Sequence, residues 1–296
     1  MKKIVLLIVL ILIGVGCHTR ELYVSFDKND GYYRVYKQEN FKIYYKPVLK
    51  EEFLNNFSSV SIEAIKIYEN LNGSTPVTIS KNQYCVAIVK QTCGVGCGII
   101  GKPGIEIEEK KFDRIYKSYT VNKKFDSLIF YELGRNFWFY NKQLTCSNPA
   151  LTEAMRTGFA VFMRNICVGK LRIEPDSLNG YKYSDYLKEL KSIYGYYSED
   201  STLNITKTLY NGELPVLSSH FMVTSANFWA SLLYHLYDKT DFGDPWLYKV
   251  WHEVSLLPPA LNENDVLNNF YIACCKASGR DLRSVFQEEL KWGFSN

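Results

Sequence analysis

Apolar and polar positions alternate along the first part of the chain in the way that β-strands require. Residues 31–47, GYYRVYKQENFKIYYKP, are rich in tyrosine, and the alternation is clearest across 41–45. Residues 84–89 form a second apolar run of strand length. The glycine-rich stretch 92–104 reads as a turn, and IEIE at 105–108 follows it. That last alternation predicts a short strand with one polar face, at an edge of the sheet.

Helical periodicity separates these strands and dominates the second half of the chain. In residues 50–71 apolar side chains recur every three or four positions, and the pair Asn72-Gly73 is a helix stop. From Lys124 onward the same periodicity predicts helices over 125–140, 151–168, 183–194, 220–237, 264–276 and 281–291, with Asp281 capping the last. A mixed first half followed by a helical second half indicates an α+β fold with a small mixed sheet.

The N-terminus has the order of a secretory signal. Lys2 and Lys3 precede an apolar run over 4–13, and Gly14 and Gly16 then lead to Cys17. The run is shorter than the roughly 20 residues that cross a bilayer. We therefore expect residues 1–16 to be removed and the chain to be exported, the alternative being an N-terminal anchor that stays attached.

Cys17 leaves two forms of the exported protein open. A cysteine directly after the cut resembles the bacterial lipoprotein signal, whereas the small residues before it equally suit ordinary signal peptidase and secretion. Membrane contact is expected only through a lipidated Cys17. The expected organisation is a signal peptide (1–16), an N-terminal tether (17–30), an α/β subdomain (31–140) and a helical subdomain (141–296).

Composition narrows the class of protein further. A hydrophobic fraction of 47% is ample for a core, and removing Lys2 and Lys3 lowers the formal net charge from +4 to +2. Without a basic stripe or tail, a nucleic-acid partner is not expected. Eight cysteines in an exported chain indicate disulfides, with one local bridge expected among Cys85, Cys93 and Cys97. Zinc binding by cysteines is the alternative, although C-x₃-C at 93–97 has no matching second pair.

The helix predicted over 125–140, FDSLIFYELGRNFWFY, has two distinct faces. At 100° per residue, one arc is apolar and made of Ile129, Phe130, Leu133 and Phe137. The opposite arc carries Tyr131, Arg135 and Trp138. We expect the first arc to face the core and the second to line a cleft.

Residues 131–137, YELGRNF, resemble the HELGHNF-type helix of gluzincin zinc metallopeptidases with both histidines replaced. In that family two histidines one turn apart bind zinc, the glutamate between them activates water, and a glutamate from a later helix completes the site. TGFA at 157–160 is similar to the family's Glu-Gly-Phe-Ala run, with Thr157 where the third ligand stands. The resemblance covers roughly 40–294 and implies a zincin-like fold with Glu132 as the remnant general base.

The departures from the family pattern decide what the resemblance implies for function. Tyr131, Arg135 and Thr157 replace the zinc ligands, and a guanidinium cannot ligate a metal. The histidines at 220, 235 and 252 do not stand at ligand spacing from one another. We therefore expect neither a bound metal nor another cofactor, and no zinc peptidase activity. The former site would instead hold a ligand through Tyr131, Arg135, Trp138, Glu153 and Thr157.

Three functional hypotheses remain open on the sequence. The first is a catalytically inactive, exported peptidase-like protein that binds a peptide or glycan in the old cleft, with a peptide pairing to the strand near 105–107. The second is an active hydrolase with a rearranged site that uses Glu132 as general base. The third is a structural surface lipoprotein, in which Arg135 pairs with Glu132 or Glu153 and fills the lost metal site.

Overall fold

A computed structural model describes residues 19–74, 76, 83–219, 221–239 and 243–293 of the chain. The predicted signal peptide, Cys17 and His220 lie outside these residues.

The described residues form a six-stranded mixed sheet with the spatial order β1-β2-β3-β4-β6-β5. The strands are β1 (Arg20–Val24), β2 (Asp30–Gln38), β3 (Phe41–Tyr45), β4 (Tyr84–Val89), β5 (Gly96–Gly98) and β6 (Gly104–Glu108). β3 pairs with β4, and β4 with β6, in parallel, whereas the remaining pairs are antiparallel. The α+β class with a small mixed sheet is thereby confirmed.

The position predicted for the strand at 105–108 is wrong. β6 lies between β4 and β5, and the edge on this side is the short strand β5. Glu106 is fully buried, where its carboxylate accepts hydrogen bonds from the Tyr23 hydroxyl at 3.0 Å, the Phe26 N–H at 2.7 Å and the Thr92 hydroxyl at 2.8 Å. Three donors compensate for the loss of water, so an alternating pattern here does not mean an exposed face.

The segment expected to be a tether contributes a strand. β1 pairs with β2 over its whole length, with Leu22 opposite Tyr32, and forms the other edge of the sheet. Leu22 and Val24 alternate with Tyr23, which packs against Tyr33 and Tyr44. This alternation lies outside the 31–47 window in which the sequence pattern was clearest.

Helices fill the rest of the described chain. They are α1 (Glu51–Asn72), α2 (Glu109–Asn122), α3 (Leu128–Asn136), α4 (Asn141–Leu144), α5 (Pro149–Leu171), α6 (Tyr183–Glu199), α7 (Ile205–Tyr210), α8 (Ser225–Asp238), α9 (Gly243–Ser255) and α10 (Glu263–Ser278). The helix expected over 281–291 is largely a π-helical turn at Val285–Glu289, and Asp281 does accept a hydrogen bond from the Arg283 N–H at 2.9 Å. The sequence pattern did not predict α2, α4, α7 and α9.

The helix predicted over 125–140 is shorter than expected. α3 ends at Asn136, and the next residues turn into the core, with Phe137, Trp138 and Tyr140 all buried. The Phe137 carbonyl accepts a hydrogen bond from the Asn72 side chain at 2.9 Å. Packing of these aromatic side chains in the core therefore replaces the last turn of the helix.

The main core lies between one face of the sheet and the helices, and α5 runs through it against α3 and α8. Close approach depends on glycine: a Cβ on Gly158 would lie 2.7 Å from Trp229 Cδ1, and one on Gly134 would lie 2.7 Å from Ala160 Cα. α3 and α5 therefore touch backbone to backbone, which places their facing side chains in one site. Within the described ranges, the helices are all too short or too polar to cross a membrane.

Candidate functional site

α3 and α5 carry the candidate residues, and both helices have defined starts. The Asp126 carboxylate accepts a hydrogen bond from the Leu128 N–H at 2.8 Å, at the beginning of α3. Asn148 caps α5 by accepting from the N–H groups of Ala150 and Leu151, and Pro149 occupies the first turn. These caps define where α3, which carries Glu132 and Arg135, and α5, which carries Glu153 and Thr157, begin.

Glu132, the expected general base, lies beneath strand β5. Its side chain is buried, and Oε2 accepts a hydrogen bond from the Gly98 N–H at 2.8 Å. A Cβ on Gly96 would lie 3.0 Å from Oε1, and one on Gly98 would lie 2.2 Å from the Glu132 carbonyl oxygen. The backbone of β5 therefore covers the carboxylate where a substrate and a water molecule would have to approach.

Covalent and polar contacts hold β5 in this position. Cys93 and Cys97 form a disulfide with a Cα–Cα distance of 5.6 Å, which confirms the predicted local bridge. The Asn136 side chain donates hydrogen bonds to the carbonyls of Ile99 at 2.8 Å and Gly104 at 3.1 Å, so the chain after β5 is also attached to α3. β5 is thus held by a disulfide at its central residue and by hydrogen bonds to the residues that follow it.

Burial changes the protonation of Glu132. Loss of water raises the pKa of this carboxyl to about 7, against the opposing effects of the Gly98 N–H and the Arg135 charge. A carboxyl with this pKa is neutral in a large fraction of molecules near pH 7.

Arg135 turns away from Glu132 and towards α5. Its Nη1 donates a hydrogen bond to Thr157 Oγ1 at 2.7 Å and lies 3.9 Å from Glu153 Oε1. The side chain keeps 22% of its surface exposed. Of the two carboxylates considered from the sequence, Glu153 is therefore the one that Arg135 approaches within ion-pair distance.

Glu153 already has closer partners than Arg135. Thr157 donates a hydrogen bond to Oε1, and Arg156 Nη2 contacts Oε2 at 2.5 Å. Partial burial would raise the pKa of Glu153, but the bonds from Thr157 and Arg156 outweigh it and hold the pKa below its ordinary value. We call the partly exposed group of Tyr131, Arg135, Glu153, Arg156 and Thr157 the Arg135 surface.

Tyr131 connects the Arg135 surface to a buried arginine that the sequence analysis missed. Burial raises the pKa of the Tyr131 phenol, and the nearby positive charge of Arg135 opposes this effect only in part. The Arg164 guanidinium lies 5.9 Å from the Tyr131 ring centroid. Arg164 stands seven residues after Thr157 on α5, a spacing that places both on one helix face and could have revealed it.

Trp138 is not part of the site, contrary to prediction. It is fully buried, its Nε1 donates to Asn141 Oδ1 at 2.7 Å, and its ring packs against Tyr140 and Phe159. Because α3 ends at Asn136, the helical spacing that placed Trp138 beside Arg135 does not extend to it.

The described residues also bear on metal binding and on other cavities. No group of three or more His, Cys, Asp or Glu side chains among them is arranged to hold a metal ion. A cavity of about 670 Å³ lies where α5 ends and α6 begins, lined in part by Lys124, Arg172, Lys182 and Tyr183. None of the site residues predicted from the sequence lines this cavity.

Comparison with known proteins shows the fold and leaves the family open. No protein-family model matches the sequence, and the curated proteins contain no match. A conserved protein of unknown function from Bacillus anthracis str. Ames superposes with a TM-score of 0.60 at 11% identity, over 88% of this chain and 49% of that one. A mutant of a functionally unknown conserved protein from the same strain superposes with a TM-score of 0.59 at 12% identity, over 89% of this chain and 49% of that one. The chain thus spans about half the length of these structures, and identities this low show a shared fold alone.

A peptidase also resembles the chain, more weakly. Aminopeptidase A of Legionella pneumophila, in complex with aspartic acid, superposes with a TM-score of 0.42 at 15% identity, over 93% of this chain and 28% of that one. A likeness of this size carries no argument about function.

Proposed function

We propose that this chain is an exported protein with a gluzincin-like scaffold that no longer hydrolyses peptides and binds a peptide or glycan at its former active site. The observation that carries the proposal is the position of Glu132 beneath β5, with its carboxylate bonded to the Gly98 N–H. In a zinc peptidase the corresponding glutamate must reach a metal-bound water. Here the carboxylate serves as the acceptor for a strand backbone.

Arg135 supports the loss of catalysis independently. It stands where the resemblance places the second histidine, one turn after Tyr131, and its Nη1 is bonded to Thr157, at the position of the third ligand. A guanidinium keeps its proton at neutral pH and repels a divalent cation. Replacement of both ligands thus leaves a fixed positive charge in place of a metal.

The Arg135 surface supports the binding role. Arg135 and Arg156 keep 22% and 32% of their side chains exposed, and Glu153 keeps 52%. Tyr131 is half-buried and presents a phenol beside them. A cluster of partly exposed hydrogen-bonding groups on two rigid helices is suited to holding a polar ligand.

The disulfide supports export. Disulfides persist in oxidising compartments outside the cytosol, and Cys93–Cys97 joins the central residue of β5 to the turn that precedes it. We propose that the signal over residues 1–16 delivers the chain there, either secreted or attached to a membrane through a lipidated Cys17.

The alternative of an active hydrolase has one observation in its favour. A carboxyl with a pKa near 7 is suited to general-base catalysis at neutral pH. The strand β5 that buries this carboxylate also covers it, however. Hydrolysis at Glu132 would therefore require β5 to leave α3.

Restoring the ligands tests the gluzincin-like scaffold. The triple variant Tyr131→His, Arg135→His, Thr157→Glu is expected to bind about one zinc ion per chain, because the helix spacing would again present two histidines and a carboxylate. Zinc is measured by elemental analysis after dialysis, with Tyr131→His, Arg135→His, Thr157→Gln as a matched control that lacks the third anionic ligand. A folded triple variant that binds no more zinc than the wild-type chain would contradict the proposed scaffold.

A further inference from the structure

Positive charge on the Arg135 surface exceeds the negative charge available to balance it. Arg135 and Arg156 share the single carboxylate of Glu153, at 3.9 and 2.5 Å respectively. Glu132 contributes little, because its carboxylate faces β5 and is partly protonated near neutral pH. Two guanidinium groups therefore meet one exposed carboxylate.

Arg164 adds a third positive charge beneath the Arg135 surface. It is only 6% exposed, and its Nη2 donates to the Tyr186 hydroxyl at 2.9 Å. Its guanidinium carbon lies 5.2 Å from the Tyr186 ring and 5.9 Å from the Tyr131 ring. Within the part of the chain that is described, no carboxylate lies within 4.0 Å of Arg164, and its Nε has no hydrogen-bond partner.

Buried guanidinium groups without a counter-ion are costly, since burial removes the water that would stabilise the charge. The Nε of Arg156 is likewise buried and without a partner. Both arginines belong to α5, which also carries Thr157. An anion bound beside Arg135 and Arg156 would lower the energy of these two guanidinium groups.

The geometry favours a carboxylate among anions. The planar guanidinium of Arg135 matches the two oxygens of a carboxylate, and the Tyr131 hydroxyl on the same surface can donate to one of them. The single Thr157 hydroxyl proton is already donated to Glu153. A dianionic phosphate would meet stronger repulsion from Glu153 on the same surface. A monoanionic carboxylate fits the charge that is available.

The source of the carboxylate is a peptide rather than an acidic sugar. Sugar rings are held by stacking on exposed aromatic faces, and Trp138, which could have supplied one, is fully buried. The Tyr131 ring already has Arg164 beside it. Hence we propose that the Arg135 surface binds the carboxylate of an acidic residue in a peptide, with Arg135 as the contacting group; this inference rests on the proposed binding function.

Two fluorescein-labelled peptides test it, identical except that three glutamates in one are glutamines in the other. Fluorescence anisotropy with the purified chain at low salt is expected to show saturable binding of the glutamate peptide and at least tenfold weaker binding of the glutamine peptide. Arg135→Gln should weaken binding of the glutamate peptide by about tenfold, in the range for a lost charge-assisted hydrogen bond. Glu153→Gln should tighten binding of the glutamate peptide, because it removes the carboxylate that competes for Arg135.

Matched controls separate this inference from the proposed function. Arg114→Gln removes one exposed arginine on α2 and is expected to leave the affinity unchanged. If Arg114→Gln weakens binding as much as Arg135→Gln, attraction is nonspecific and the inference is wrong. If both peptides bind with equal affinity and Thr157→Val abolishes this binding, recognition of a carboxylate is wrong. The proposed peptide site would then still stand. If neither peptide binds, the inference is wrong, and so is the peptide form of the proposed function. If only a labelled oligogalacturonate binds, the inference is wrong and the ligand is a glycan.

Discussion

Replacing Glu132 by glutamine is expected to change the free energy of unfolding in a strongly pH-dependent way. The glutamine oxygen can still accept the hydrogen bond from the Gly98 N–H, but the side chain cannot ionise. Relative to wild type, the variant should gain about 3 kcal/mol as the pH rises from 4.5 to 8. Urea unfolding of both proteins across this range measures the gain.

The sign follows from the direction of the pKa shift. Burial raises the pKa of Glu132 in the folded chain from 4.5 to about 7, so the folded state holds this proton more tightly than the unfolded state. The resulting stabilisation of wild type is fully present below pH 4.5 and is lost as the pH rises through 7. Glu199→Gln, at an exposed position of α6, corrects for general charge effects. A constant difference between Glu132→Gln and wild type would mean that the carboxylate is solvated and accessible.

Adding a single methyl group at Gly98 is expected to be severely destabilising. The Cβ of Gly98→Ala would lie 2.2 Å from the Glu132 carbonyl oxygen and 3.0 Å from its carbonyl carbon, so β5 or α3 must move. Such a shift would also weaken the hydrogen bond to Glu132. We expect a loss of about 3 kcal/mol or more in the free energy of unfolding, measured by urea titration at pH 7.

Gly195→Ala is the matched control for this substitution. Gly195 lies within α6, and a Cβ there would meet no atom within 4 Å. Alanine has the higher helix propensity, so this variant should gain up to about 1 kcal/mol. Wild-type stability in Gly98→Ala would show that β5 does not pack on α3, and the site around Glu132 would then be open.

Local patterns in the sequence predict most of the regular structure. The tyrosine-rich alternation gives β2 and β3, and the apolar periodicity gives α1, α5, α6 and α10 close to their observed bounds. These elements bury one regular face, which is what such patterns report. β5 has only three residues, too few for a distinctive pattern, and β1 lies in the segment that was expected to be a tether.

Residues of the site that share one helix face could be predicted from the sequence, whereas contacts that depend on where a helix ends or on a distant strand could not. Glu153 and Thr157 share a face because they stand four residues apart on α5, and Arg135 reaches them across the contact between α3 and α5 that the family resemblance suggested. Trp138 enters the core because α3 ends early, and no local signal indicates that end. The covering of Glu132 by Gly98 comes from a strand 34 residues away in sequence, a contact that periodicity cannot reveal.

The most direct test of the central claim, that Glu132 is a structural residue in a site without zinc, is the metal content of the purified chain. The chain is incubated with zinc, dialysed and subjected to elemental analysis. We expect no stoichiometric zinc, because Arg135 and Thr157 stand where the proposed gluzincin-like scaffold would place two of the ligands. About one zinc ion per chain, lost on Glu132→Ala or Glu153→Ala, would contradict a structural role for Glu132 and indicate a rearranged hydrolase site.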